Sequence, residues 1–170
     1  MEKILNVAKY IIDTYKKISG TPIDEMKLHK LLYFTQRENL AITGKAMFEE
    51  HFEGWKYGPV SRIVRDAFTG TDIPLRDNQD ISDEAKYVVN NIIQQYGGYE
   101  PWKLSDLLHK EYSWKQARIG IRENENGSRT IKIEDIREDA KKVRPYDSTY
   151  DMYYDEFEDA DETEYIKGAI

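Results

Sequence analysis

The 170-residue chain contains no cysteine. That absence excludes zinc ribbons, thiolate catalysis and a disulfide framework, and it suits a reducing compartment. Long hydrophobic runs are also missing. The most apolar stretch near the start is interrupted by Asn6, Lys9 and Asp13. Neither a signal-peptide core nor a membrane span is therefore expected, and the chain reads as cytoplasmic. No glycine-rich phosphate loop occurs, Gly58-Pro59 does not open one, and Ser61 and Ser105 lack a nucleophile elbow. The three histidines, His29, His51 and His109, share no metal-ligand spacing. His51-Phe52-Glu53 imitates the H-x-E of zinc deaminases, whose cysteine half cannot exist here. Glu25-Met26-Lys27 matches the E-x-K fragment of some nucleases, a spacing that chance supplies readily when 34% of residues are charged. The chain is accordingly read as non-enzymatic, with no cofactor and no metal.

What is present is an uneven distribution of charge. Residues 145–170 hold nine acids and one base, a balance of -8, against a net charge of -7 for the whole chain. Residues 1–144 keep 23 acids and 24 bases, a balance of +1. A neutral body with an anionic end suggests an interaction tail. The tail interleaves its acids with Tyr146, Tyr150, Tyr153, Tyr154, Phe157 and Tyr165. Aromatics at this spacing can bury on a partner, whereas a purely acidic tract would stay solvated. Arg62 and Arg65 are basic residues on a short helix, but a neutral body beside an acidic tail argues against nucleic acid as the partner.

Periodicity predicts a mainly α (α+β) fold: a compact helical domain over 1–144 with a small β element, then the acidic tyrosine-rich extension 145–170. The first helix buries Leu5, Ala8, Ile11, Ile12 and Tyr15 and stops at Ser19-Gly20. Asp24 caps a second helix, with Ile23 placed as a hydrophobic staple. That helix carries Leu28, Leu31 and Leu32 inward, with Lys27, Lys30, Arg37 and Glu38 mostly on the other side, and Gly44 ends it. Met47 to Tyr57 favours a short strand, closed by a turn at Gly58-Pro59. Trp55 and Tyr57 are expected to supply large buried area.

A short helix then buries Val60, Ile63, Val64, Ala67 and Phe68, and residues 69–80 form a loop. Ser82 caps the clearest helix, with Ala85, Val88, Val89, Ile92, Ile93 and Tyr96 inward until Gly97-Gly98. Pro101 opens the next, burying Leu104, Leu107 and Leu108. Ser113-Trp114-Lys115-Gln116 has capping-box spacing. Asn126-Gly127 predicts a hairpin between Ile119–Arg122 and Thr130–Ile133. A last helix buries Ile136, Ala140 and Val143 before Arg144-Pro145.

Several ordered motifs resemble one family. Met26-Lys27-Leu28-His29-Lys30-Leu31-Leu32-Tyr33-Phe34-Thr35-Gln36 is similar to the K-L-Q-K-L-L-Y-F-A-Q helix of the Panacea domain, also called the SocA-like antitoxin domain. The likeness continues through Leu40, Thr43-Gly44-Lys45 and Phe48. Glu53-Gly54-Trp55-Lys56-Tyr57-Gly58-Pro59-Val60 then resembles E-A-W-K-Y-G-P-V. Leu104-Ser105, His109, Glu111, Trp114 and Ala117-Arg118 resemble L-S-x-x-T-H-x-E-x-P-W-x-x-A-R. Departures are His29 for the usual Gln, Gly54 for Ala, Leu108 for Thr and Ser113 for Pro. The family residues expected to be structural are Leu28, Lys30, Leu31, Leu32, Tyr33, Trp55, Lys56, Tyr57, Gly58, Pro59, His109 and Trp114.

The resemblance implies an antitoxin of a toxin-antitoxin system that neutralises a protein toxin by direct binding, often through sequence beside the shared domain. It also implies an alternative, an adaptor delivering a toxin to a bacterial protease; a phage-encoded inhibitor and a DNA-binding regulator stand beside it as rival readings. Phage and prophage genomes carry such members too. A toxin with a basic cleft would complement the tail, so the expected contact residues are Tyr146, Tyr150, Asp151, Tyr153, Tyr154, Asp155, Glu156 and Phe157.

Overall fold

A computed structural model describes residues 1–75, 77 and 79–145. The first amphipathic stripe forms α1, Ile4–Ser19, which buries Ile4, Val7, Ala8, Ile11 and Ile12 and ends at Gly20 with φ 77°. Asp24 then starts α2, Glu25–Thr43, its Oδ1 accepting the Lys27 N–H at 2.8 Å. The fold is built around α2. Every residue from Lys27 to Glu38 is buried, because α1, the helical segments Asp83–Tyr96, Pro101–Leu108 and Ile133–Ala140 and the short strand Gly58–Val60 all pack against it.

The expectation that Lys27, Lys30, Arg37 and Glu38 face solvent is therefore corrected. Buried charge is tolerated where hydrogen bonds replace water. The Lys27 ammonium donates to the Tyr15 hydroxyl at 3.2 Å and to the Gly97 carbonyl at 3.0 Å. Arg37 donates to Glu111 and, at 3.0 Å, to the Tyr96 hydroxyl. Gln36 pins the loop beside it, accepting from the Met47 N–H at 2.7 Å and donating to the Phe48 carbonyl at 2.9 Å.

Three short strands form an antiparallel sheet in the order β2-β1-β3: β1 Phe52–Trp55, β2 Gly58–Val60 and β3 Thr130–Ile131. Trp55 pairs with Gly58, Gly54 with Pro59 and Glu53 with Val60. The turn is thus Lys56 and Tyr57, and Gly58-Pro59 opens the returning strand instead of forming the turn. Gly58 has φ 129°, a conformation available to glycine and strained for other residues. On the other side Phe52 pairs with Ile131 and Glu53 with Thr130. The expected partner of the Thr130 strand, Ile119–Arg122, is not a strand. Its loop instead wraps the Arg118 guanidinium, which donates to the carbonyls of Arg122 and Glu125.

The remaining helices are α3 Arg62–Ala67, α4 Asp83–Tyr96, α5 Pro101–Leu108, α6 Tyr112–Ala117 and α7 Ile133–Ala140. The Ser82 hydroxyl caps α4 by accepting the Ala85 N–H, and all six apolar positions expected inward are buried. In α3 only Val64 is buried, while Ile63 points outward, 47% exposed, contrary to expectation. The capping box at Ser113 is also corrected, because α6 begins one residue earlier. The Asp139 carboxylate, reaching across from α7, accepts the N–H groups of Tyr112 and Ser113, both at 2.8 Å. Freed from capping, the Ser113 hydroxyl lies 2.6 Å from that of Tyr33. The Tyr33 hydroxyl in turn donates to Asp139 at 3.1 Å.

One apolar core joins all seven helices of the described residues, with Phe34 stacked on Tyr96 at 4.1 Å near its centre. Among the described residues no helix is long and apolar enough to cross a membrane.

Candidate partner-binding groove

Four consecutive carbonyls of the β1–β2 hairpin are each held by a side chain from α5, α6 or the residue just after either helix. The Arg118 guanidinium donates to Gly54 O at 3.0 Å, the Trp114 indole to Trp55 O at 2.7 Å, the His109 ring to Lys56 O at 3.0 Å and the Ser105 hydroxyl to Tyr57 O at 3.0 Å. Because a carbonyl only accepts, His109 carries its proton on Nε2. The Trp114 ring is sandwiched between the His109 ring, stacked at 4.4 Å, and the Arg118 guanidinium at 5.1 Å. Two segments separated by about fifty residues of sequence therefore form one rigid unit. Gly54 is part of its fit: a Cβ there would lie 2.9 Å from the Ala117 Cβ, tighter than normal contact allows.

The held hairpin forms one wall of a groove of about 320 Å³, and the first turns of α2 form the other. Trp55, Lys56, Tyr57, Gly58, Pro59 and Val60 line it from the hairpin, and Met26, His29 and Lys30 from α2. Tyr57 is 56% exposed and Met26 43%. Burial of Tyr57 is thus corrected: it stands at the end of a two-residue turn and presents its ring at the groove.

The charges around the groove differ in how they are satisfied. Glu53 accepts from Arg62 and, at 2.8 Å, from the Trp55 indole. Burial pushes its carboxyl up, but these donors outweigh burial and hold it below its ordinary value. Arg62 and Arg65 both lie over the Trp55 ring, and Arg65 also approaches Glu25 at 3.6 Å. The His29 Nδ1 accepts the Ser61 N–H at 3.2 Å, which leaves its proton on Nε2, facing Glu25 at 3.3 Å. Burial lowers the His29 pKa more than Glu25 raises it, so the ring is neutral at pH 7.

Lys30 is different. It is 3% exposed and lines the groove, yet its amine has no hydrogen bond or ion pair among the described residues. Burial lowers its pKa to about 8, opposed only by the more distant charge of Asp24.

The residues picked from sequence divide into three groups. Leu28, Leu31, Leu32 and Tyr33 lie in the core along α2. Lys30, Trp55, Lys56, Tyr57, Gly58 and Pro59 converge on the groove, and His109 and Trp114 hold its hairpin from behind. The tail contacts, Tyr146, Tyr150, Asp151, Tyr153, Tyr154, Asp155, Glu156 and Phe157, lie outside the described residues. Met26, Arg65 and Asn126 also line the groove and are not among the residues expected to build a site. An exposed methionine in the first turn of a capped helix was the one local signal for the first of these. Among the described residues no three His, Asp or Glu side chains gather into a metal-binding group.

Fold and site together define a mainly helical α+β module that presents an apolar groove with a basic side chain sunk in its wall. The chain belongs to the antitoxin SocA-like, Panacea domain family, whose model matches residues 28–115, half of its length. That match includes His29 and Lys30 of α2, the hairpin and three of the four side chains that hold it. Among curated proteins, Antitoxin SocA of Caulobacter vibrioides (strain NA1000 / CB15N) is 29% identical over 89 residues. The matched stretch is 52% of this chain and 40% of that protein. No solved structure matches.

Proposed function

We propose that this protein is an antitoxin that inactivates a cognate protein toxin by binding it directly. The observation that carries this reading is the family match over residues 28–115, which include the hairpin and most of the residues lining the groove. The helical body, residues 1–144, acts as the scaffold, and residues 146–166 add an acidic, aromatic contact strip. Nine acids among the last 26 residues complement a toxin with a basic surface, and tyrosines among them give contact area at low entropic cost. Binding alone accounts for the activity, with no chemical step on the toxin.

The test is to purify the product of the neighbouring gene and mix it with this protein in the absence of any protease. Neutralisation in the purified mixture supports the reading; toxin loss that requires a bacterial protease replaces it with the adaptor mechanism. Deleting residues 146–170 is expected to leave the body folded and to weaken neutralisation at least tenfold. Full rescue of toxin-expressing cells by the truncated form removes the tail from the mechanism.

A further inference from the structure

Lysine is rarely this buried without a protein partner; the Lys30 stem is covered, while its amine stays open to the groove. Lys27, three residues earlier on the same helix, shows the usual solution, with two hydrogen bonds to its ammonium. Arg37, two turns later, is paired with Glu111. Lys30 alone among these α2 cations has neither, and it alone of the three lines a groove.

The surroundings of the groove define what would satisfy it. Nearby cations are Lys56, with its ammonium 5.1 Å from the Tyr57 ring, and Arg65 over Trp55. The one carboxylate lining the groove, Glu25, already faces His29 and Arg65. His29 is held neutral, and Asp24 is engaged in capping α2. Apart from Asn126, the remaining walls are apolar or aromatic, chiefly Met26, Trp55, Tyr57 and Pro59. A cationic group deep in an aromatic groove complements a carboxylate carried on an apolar segment, which would cover the rings while its oxygen reaches the amine.

We propose that this groove is a second contact site for the bound toxin, in which Lys30 pairs with the side-chain carboxylate of an acidic residue flanked by apolar ones. The site rests on the reading of this protein as an antitoxin, but is separate from the tail: the tail offers acids to a basic surface, and the groove accepts an acid. A toxin that meets both surfaces is recognised by two opposite charge complementarities, and a partner with only one is discriminated against.

Two measurements test the site. In the first, the full chain carrying carbon-13 at the lysine ε position is titrated with the capped peptide N-acetyl-Phe-Glu-Leu-amide, and with its Gln analogue. The Lys30 signal is expected to move with the Glu peptide, with at least tenfold weaker binding for the Gln peptide. Equal affinity for the two peptides, or no movement of the Lys30 signal, overturns the proposal. In the second, Lys30→Met in the full chain is compared with wild type for binding to the purified toxin, with an expected loss of tenfold or more. Unchanged binding by a folded variant also overturns it while leaving the antitoxin reading intact. If wild type itself neutralises no toxin, that reading fails, and the peptide titration still decides whether the groove accepts a carboxylate.

Discussion

Lys30 sets a stability cost against its place in the groove. Its pKa is about 8 when folded, below the value of 10.5 it has when free. The folded chain therefore holds this proton less tightly than the unfolded chain. Below about pH 8 both states are charged and the penalty is constant; between about 8 and 10.5 the folded state sheds its proton and stability rises; above that the penalty is gone. At about 1.36 kcal/mol per unit, the cost at pH 7 is on the order of 3 kcal/mol. Lys30→Met is expected to raise the melting temperature at pH 7 by roughly 6–12 °C and to lose most of that advantage by pH 10. Thermal unfolding of both proteins across this range checks it, and an advantage independent of pH would show that the buried charge is not its origin. Stability given up for a functional group is a familiar trade. The sequence could not show this lysine's position, because alternation of apolar and charged residues along α2 looks the same whether one side faces water or another helix.

Elements differ in how far local pattern determines them. The helices α1, α2 and α4 were legible because their caps and apolar spacing lie within the segment: Gly20, Asp24 and Ser82 all act on their own helix. The start of α6 was not, since its cap comes from Asp139, 26 residues away. The hairpin turn was misplaced by two residues for a similar reason. Gly-Pro is a common turn signal, but here the carbonyls of residues 54–57 are held by side chains from elsewhere, and they fix the register. Asp139→Ala is expected to destabilise the protein by about 2–4 kcal/mol, since it uncaps α6 and removes one of the acceptors around the buried Tyr33 hydroxyl. Burial, with the nearby Glu111 and Asp139 carboxylates, keeps the Tyr33 phenol well above its ordinary pKa, so the hydroxyl remains a donor that needs an acceptor. Chemical denaturation measures the loss, and a change under 1 kcal/mol would mean that backbone geometry alone sustains α6.

At the scale of the molecule, charge is segregated. The scaffold 1–144 carries +1 and the remainder -8, so toxin binding through the tail is expected to weaken as salt shortens the range of electrostatic attraction. Measured between about 0.05 and 0.5 M salt, wild-type affinity should fall at least tenfold, and deletion of residues 146–170 should flatten that dependence. An equally steep slope for both proteins places the electrostatics elsewhere. The family assignment was legible in the sequence because its motifs surround the groove; the groove was not, because its walls come from segments joined only by folding.

The row of clasped carbonyls behind the hairpin constrains how this surface can be exchanged between relatives. A W-K-Y-G-P loop transplanted into a relative that lacks the serine, histidine, tryptophan or arginine holding its backbone would leave the corresponding carbonyl without its donor. Retargeting by grafting should therefore move residues 52–60 and 104–118 as one cassette, and chimeras that split the pair are expected to misfold before their specificity can be read.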